Sequence, residues 1–409
     1  MIAEELKSSI VEGVDSDELL EIVKKLISIP SHLAFEKRES LVASYLHELF
    51  KSEGIDSYLQ EVTDGRPNVI AKLNGTQQGS SLMLNGHIDT VPTFGMENPF
   101  SPIMREGKLY GRGSTDMKSG VGAMAYALIV LNRLGVKLQG DLVFAGVIDE
   151  EASGSAGTHY LVENGPKTDL AIVGEPTQLH PVVAHKGCDY FEVTFTGRSV
   201  HSSVPENGAN AAFAGGHFMQ KIEEELIPKY KNMVHPLVGA PTVNVDMIQG
   251  SSQGNMPFLM GESSGFSGIV ADVCRVYIDI RWTPHQSAEG ITQDIEEIAQ
   301  FVKQARIGIN AEVKHILPHP AMEIDPEHTL VQSVQGNIKK TLGKEKSIQG
   351  ATYWGDSGLL YELANIPSLL FGPGDIGCAH SDNEYIDASH ITPAAIIYAL
   401  TAVDICGVK

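Results

Sequence analysis

The chain has 409 residues, well beyond the roughly 100 to 200 of one domain, so two domains or a domain carrying a large insertion are expected. Hydrophobic residues make up 42% and charged residues 20%, which excludes a disordered chain; the formal net charge of -21 argues against nucleic acid or an anionic membrane as partner and suits cations. Cys188, Cys274, Cys378 and Cys406 form neither a C-x-x-C pair nor a dense framework, and "MIAEELKSSIVEG" lacks a long apolar core, so a reduced cytoplasmic protein without signal peptide or membrane anchor is expected.

"DSDELLEIVKKLISIP" sets Leu19, Ile22, Val23, Leu26 and Ile27 at helical spacing, with Asp15 or Ser16 as N-cap and Pro30 beyond the end. A second helix is predicted near 36–53. Strands "NVIAKL" and "SLMLNGHI" follow, then a helix over "GVGAMAYALIVLNRLG", the strand "DLVFAGVI", a helix at "GSAGTHYLVENG" and the strand "LAIVG". This alternation predicts an α/β fold: a mixed, mostly parallel sheet flanked by helices. From 189 the rhythm changes to strand (189–197), helix (about 210–227), strands "PTVNVDMI" and "DVCRVYIDIRW", helix "SAEGITQDIEEIAQFVKQA" and strand "INAEVKHIL". That β-α-β-β-α-β order is a split βαβ unit, read as an inserted α+β domain over 187–319, with the surrounding domain in two parts, 1–186 and 320–409. After Pro320 come the helix "TLVQSVQGNIKKTLG", the buried strand "IPSLLFG" and a last helix "TPAAIIYALTAVDIC".

The chemistry-bearing residues stand where strands stop. "LMLNGHIDTVP" ends an apolar run on His87 and Asp89, which share a face in an extended segment. The pair either closes the strand by hydrogen bonding or forms a metal-ligating histidine with its supporting carboxylate. Asp116 in "GRGSTDMKSG" is a helix cap or a ligand projecting from a turn. Glu150 and Glu151 end "DLVFAGVIDEE" and point to opposite sides, so one can bind a metal while the other faces substrate; a solvated acidic loop is the plain alternative. Glu175 follows "LAIVG", and His380 lies in "GCAHSDNEYI". Each alone is ordinary. Together they place metal-competent groups beyond the ends of four strands, where open α/β sheets bind ligands. If Asp116 bridges two ions, one ion has His87, Asp116 and Glu175 and the other Asp116, Glu151 and His380. Three donors each leave room for a shared, acidified water, as in catalytic sites, and Glu150 is left free as a base.

At these residues the chain resembles the metallopeptidase family that contains acetylornithine deacetylase, succinyl-diaminopimelate desuccinylase and carboxypeptidase G. The resemblance runs through "GHIDTVP", "GRGSTDMKSG", "DEE", "GEPT", "GRSVHSSVPENGANA", "DIRWTP" and "FGPGD...AHSDNEYI". It implies that His87, Asp116, Glu151, Glu175 and His380 hold two divalent ions, that Asp89 supports His87, that Glu150 is general base and acid, and that a cis peptide follows Asp116. It also implies that the insert is a lid used for homodimerisation, that His201 reaches the partner's active site and polarises the scissile carbonyl, and that Arg281 holds a substrate carboxylate, for which a guanidinium fork is well shaped. Gly372 to Gly374 resembles a loop giving backbone N-H groups to the same carboxylate. The chain departs from the family at Ala271, where a Pro is expected; Asn255 in "GNMP" is either the displaced substrate contact or a loop residue.

Zn²⁺ is the first expectation for the ions, with Co²⁺ or Mn²⁺ compatible with the same donors. Cys378 is read as a small packed residue, and Lys186 as either a contact to an anionic substrate or a surface residue. The function implied is hydrolysis of the amide of an N-acyl amino acid or similar carboxylate-bearing small molecule. A carboxypeptidase or dipeptidase is the alternative within the class, and a catalytically silent metal- or amino-acid-binding protein the alternative outside it.

Overall fold

The computed structural model describes residues 2–151, 154–252 and 268–409. Two compact units are present: Met1–Ala184 with Met322–Gly350 and Gly355–Lys409, and His185–Ala321 with Ala351–Trp354.

In the first unit the strands are β1 (Asp56–Thr63), β2 (Arg66–Leu73), β3 (Leu82–His87), β4 (Ile103–Arg105), β5 (Lys108–Tyr110), β6 (Leu142–Val147), β7 (Leu170–Val173) and β8 (Val182–His185). The second contributes β9 (Gly187–Thr196), β10 (Thr242–Ser251), β11 (Val273–Trp282) and β12 (Asn310–Leu317). The chain then returns through β13 (Met322–Glu323), β14 (Gln349–Ala351), β15 (Ser368–Leu370) and β16 (Tyr385–Asp387).

The main sheet runs β1-β2-β6-β3-β7-β15-β8-β13, with β14 beside β8. Its centre, β6-β3-β7-β15, is parallel, and antiparallel pairings flank it at β1-β2-β6 and β15-β8. Every residue of β3 and β6 is buried, which accounts for their continuous apolar runs: a strand covered on both faces has no solvent side to mark by alternation. The cover includes the helix Lys118–Arg133, buried from Lys118 to Leu131, and the last helix Ile391–Cys406, apolar around nearly its whole circumference.

Sequence expectations and structure differ at the margins. The helix near 36–53 is Ser40–Ser52, and β1, the helix Ile2–Gly13 and the small sheet β16-β5-β4 add to the predicted elements. β1 is a sheet edge with mostly exposed side chains, and β4, β5 and β16 have three residues each, too short for a period to register.

The second unit has the predicted β-α-β-β-α-β order as an antiparallel sheet β10-β11-β9-β12. Buried residues alternate along β9 and β11, and Phe191, Val193, Phe195, Val276, Ile278 and Ile280 form its core with the helices Ala211–Lys221 and Ala288–Ala305. The helix expected to run to about 227 stops at Lys221, widens into a π turn at Ile222–Leu226 and resumes as Ile227–Lys231. Pro228 has no N-H to donate one turn back, so the ladder changes register there.

Candidate metal centre

Because β6, β3, β7 and β15 run side by side in one direction, their carboxyl ends lie along one edge of the sheet. His87 is the last residue of β3, Glu150 and Glu151 follow β6, Glu175 follows β7 and His380 lies in the loop after β15. Asp116 arrives from the turn before the helix Lys118–Arg133, and the Asp116–Met117 peptide is cis. Two glycines let that turn close on the strands. A Cβ at Gly86 would lie 2.6 Å from Met117 Cε, and one at Gly120 would lie 2.5 Å from the carbonyl oxygen of Gly174.

The Asp116 carboxylate presents one oxygen to each histidine: Oδ1 is 3.1 Å from His87 Nε2, and Oδ2 is 3.4 Å from His380 Nε2. A glutamate approaches the same ring nitrogen in each case, with Glu175 Oε1 3.9 Å from His87 Nε2 and Glu151 Oε2 3.0 Å from His380 Nε2. Donor atoms of His87, Asp116 and Glu151 all lie within 4.8 Å of one another. Glu151 Oε1 and Glu175 Oε1 are buried and find no hydrogen-bond partner among the described residues. Buried carboxylate oxygens left unpaired are costly, and a divalent cation among nitrogen and oxygen donors satisfies them; the residues present therefore fit a metal.

Electrostatics agree. Burial, with neighbouring carboxylates adding to it, pushes the Glu150 and Glu175 carboxyls well above the usual range and Glu151 up to about 7. Asp116 and Glu151 raise His380 to about 10. Burial disfavours a charged His87, yet hydrogen bonding to Asp116 and Asp89 outweighs it and lifts the ring above its ordinary value. The cluster thus holds protons that bound cations would displace.

Asp89 is more than a partner for His87. Its Oδ1 accepts from Glu150 N at 3.2 Å and its Oδ2 from Glu151 N at 3.0 Å, while His87 Nδ1 lies 3.2 Å from the Asp89 main-chain oxygen and 3.5 Å from the carboxylate. Just before this turn Asp149 adopts a left-handed φ of 70°, and Arg66 pins its carboxylate at 2.5 Å while gripping Glu39 with two further bonds.

Three buried residues absent from the sequence expectations belong to the same region. Glu384 and Arg112 form an ion pair behind the Asp116 turn. Asp356, before the helix Ser357–Ala364, accepts from Thr158 Oγ1 at 2.7 Å, and burial raises its carboxyl to about 6 despite that bond. "YWGDSG" carries the signal that exposed Asp116, an acid in a glycine-bearing turn ahead of a helix. Glu384 has no such signal, since its role depends on a turn almost 270 residues earlier, 113 to 116 against 384.

On the second unit, His201 is exposed and its Nδ1 accepts the Ser203 N-H at 3.2 Å, with Ser203 Oγ at 2.8 Å. An N-H can only donate, so the neutral ring carries its proton on Nε2. Arg281 lies on β11, held by both oxygens of Asp279 at 2.8 and 3.0 Å and by Tyr190 Oη at 3.3 Å. Lys186 is buried and donates to the Ala240 carbonyl, so it is neither a surface residue nor a free cation. Asn255 lies outside the described residues.

The glycine loop corrects part of the expectation. Gly372 N-H is not free for a substrate carboxylate, because it donates to Thr177 Oγ1 at 3.1 Å, and Gly374, at φ 98°, packs against Thr115. Cys378 is a half-buried free thiol, and the other three cysteines are free and buried.

Comparison with known proteins places the chain among the hydrolases. The model of peptidase family M20/M25/M40 matches residues 83–404, and the chain belongs to that family. It is 29% identical over 413 residues to an N-formyl-4-amino-5-aminomethyl-2-methylpyrimidine deformylase from Bacillus subtilis, covering 92% of this chain and 91% of the relative. It is 30% identical over 392 residues to an acetylornithine deacetylase from Proteus mirabilis, covering 91% and 93%. Among solved structures, a Bacillus subtilis dinuclear-metal-binding peptidase of the M20 family superposes with a TM-score of 0.69 at 16% identity, over 96% of this chain and 99% of that one. The resemblance to the acetylornithine deacetylase family and the expected α/β fold with its inserted α+β unit are thereby borne out.

Proposed function

We propose that the protein is a cytoplasmic two-metal amide hydrolase that removes the acyl group from an N-acyl amino acid or a similar carboxylate-bearing small molecule. The observation that carries this reading is the divided Asp116 carboxylate, one oxygen toward His87 and the other toward His380. His87, Asp116 and Glu175 would hold one ion and Asp116, Glu151 and His380 the other, with Zn²⁺ first among candidates and Co²⁺ or Mn²⁺ compatible. When bound, such ions supply Lewis acidity that acidifies a water and polarises the substrate carbonyl.

Glu150 is outside both ligand sets and takes the water's proton as the amide carbon is attacked, then returns it to the leaving nitrogen. Asp89 keeps Glu150 in place through its backbone N-H. His201, with its proton on Nε2, donates to the developing oxyanion from the partner subunit of a homodimer formed through the inserted unit. Arg281 retains guanidinium N-H groups beyond those engaged by Asp279 and Tyr190 for the substrate carboxylate. In domain terms, 1–186 and 320–409 carry the catalytic groups and 187–319 the lid.

A second reading, cleavage of small peptides by a carboxypeptidase or dipeptidase, draws on the likeness to the Bacillus subtilis dinuclear-metal-binding peptidase. The two curated relatives are named for deformylation and deacetylation, which favours deacylation. The deciding experiment is a turnover screen of N-acetyl, N-succinyl and N-formyl amino acids beside dipeptides, with metal content measured on the same sample. Deacylation lost on chelation and restored by Zn²⁺, Co²⁺ or Mn²⁺ is expected. Preferential dipeptide turnover would select the second reading, and no turnover at two ions per chain would leave a binding protein.

A further inference from the structure

We propose that Glu384 is a positioning residue for the bridging carboxylate of Asp116, holding the turn that carries Asp116 against the loop that carries His380. The inference rests on the two-ion reading above and adds a residue to it.

The Glu384 carboxylate accepts four hydrogen bonds. Oε2 takes Arg112 Nη1 at 2.7 Å and Gly113 N at 3.0 Å; Oε1 takes Thr115 N at 2.9 Å and Asp116 N at 3.2 Å. Its main-chain oxygen accepts from Gly111 N at 3.2 Å. One residue therefore binds the 111–116 turn from end to end, including the amide of Asp116 itself. Four positions earlier in the same loop stands His380, whose Nε2 faces the second Asp116 oxygen.

Stability alone is a poor explanation of this arrangement. Both partners of the Arg112–Glu384 pair are 1% exposed. A fully buried ion pair is seldom more stabilising than packed apolar side chains of similar volume, because both charges lose their hydration. What it supplies is direction: a carboxylate fixed by four donors cannot tilt without breaking several of them. Ligand distances in a metal site tolerate only a few tenths of an ångström, so a bridging carboxylate has to be held from behind to serve two ions at once. Arg112 is kept in turn by the Thr93 carbonyl at 3.4 Å.

The test is a Co²⁺ titration of the metal-free full chain, read by calorimetry and by visible absorption, on wild type and on Glu384→Gln. Gln keeps the side-chain shape but turns an NH₂ toward N-H donors. Wild type should saturate at two Co²⁺ per chain. Glu384→Gln should bind one ion near wild-type affinity and the second at least about tenfold more weakly, with an altered absorption envelope, and without metal it should melt below wild type because buried Arg112 loses its partner. Two ions bound within twofold of wild type, with an unchanged spectrum, overturns the proposal. Wild type failing to take two ions overturns the two-ion reading and the proposal with it. Should the variant fail to fold, hydrogen exchange on metal-free wild type decides: amides 113, 115 and 116 protected support the clamp, and exchange at unstructured rates rejects it.

Discussion

Replacing Asp89 by Asn probes the joint between the two sides of the cluster. The carboxylate accepts two backbone N-H groups through separate oxygens, Glu150 N at 3.2 Å and Glu151 N at 3.0 Å. An amide offers one oxygen and one NH₂, so Asn can satisfy only one of them and sets a donor against the other. Losing one charge-assisted hydrogen bond and stranding its donor costs about 1.5–3 kcal/mol, which is roughly 10- to 100-fold in an equilibrium governed by that turn. The loss should fall on metal affinity at the Glu151 side and on kcat, through misplacement of Glu150, more than on substrate KM. The assay is competition for Zn²⁺ against a chromophoric chelator, followed by steady-state kinetics at saturating metal. Metal affinity within twofold of wild type together with unchanged kcat would refute the claim that Asp89 sets the Glu150–Glu151 turn.

Glu150→Ala should keep two ions per chain by metal analysis and lose about 10²- to 10⁴-fold in kcat, the range of a general acid–base group; near-normal turnover would remove Glu150 from that role. His201→Ala should cost about 10²- to 10³-fold, as for one oxyanion donor, and mixing His201→Ala with Glu150→Ala subunits should recover activity if the histidine works across a dimer. His185 gives a pH prediction. Burial lowers its pKa to about 4 from an ordinary 6.5, so between those values the unfolded chain binds a proton that the native state refuses. That stability is fully present above pH 6.5 and falls as the pH drops toward 4, by on the order of 3 kcal/mol. Urea midpoints measured across pH 4 to 7 should fall more steeply for wild type than for His185→Gln, and parallel curves would contradict the assignment.

The gathering of His87, Asp116, Glu151, Glu175 and His380 was legible because each follows a strand or opens a helix, and parallel strands deliver such ends to one edge. The β-α-β-β-α-β insert was legible for a similar reason: its strands bury one face and so alternate. What escaped depends on tertiary placement. The edge strand β1 has little buried surface to print a pattern. Arg112 is a basic residue in a glycine-rich turn and reads as solvated until Glu384 is folded behind it. The use of Gly372 N-H by Thr177 is a contact across almost two hundred residues, 177 to 372, between groups that no local period relates.

The acids around the cluster separate by what satisfies their oxygens. Asp89 and Glu384 accept from backbone N-H groups of the turns that carry Glu150, Glu151 and Asp116, so the chain itself neutralises their demand and they have no need of an ion. Glu151 and Glu175 each bury an oxygen that finds no hydrogen-bond partner among the described residues. Asp116 divides its oxygens between two histidines that are themselves metal-competent. A carboxylate supplied with backbone donors is a fixed strut, whereas one buried without them is poised to gain a proton or a cation; burial raises the carboxyls of Glu151, Glu175 and Glu384 alike, so it is the hydrogen bonds that separate the two kinds. Divalent ions should therefore displace protons on binding at neutral pH. Calorimetry of the metal-free protein in buffers of different ionisation enthalpy measures that release; an uptake of protons, or none, would show that the unpaired oxygens of Glu151 and Glu175 are not where the charge of the ion is met.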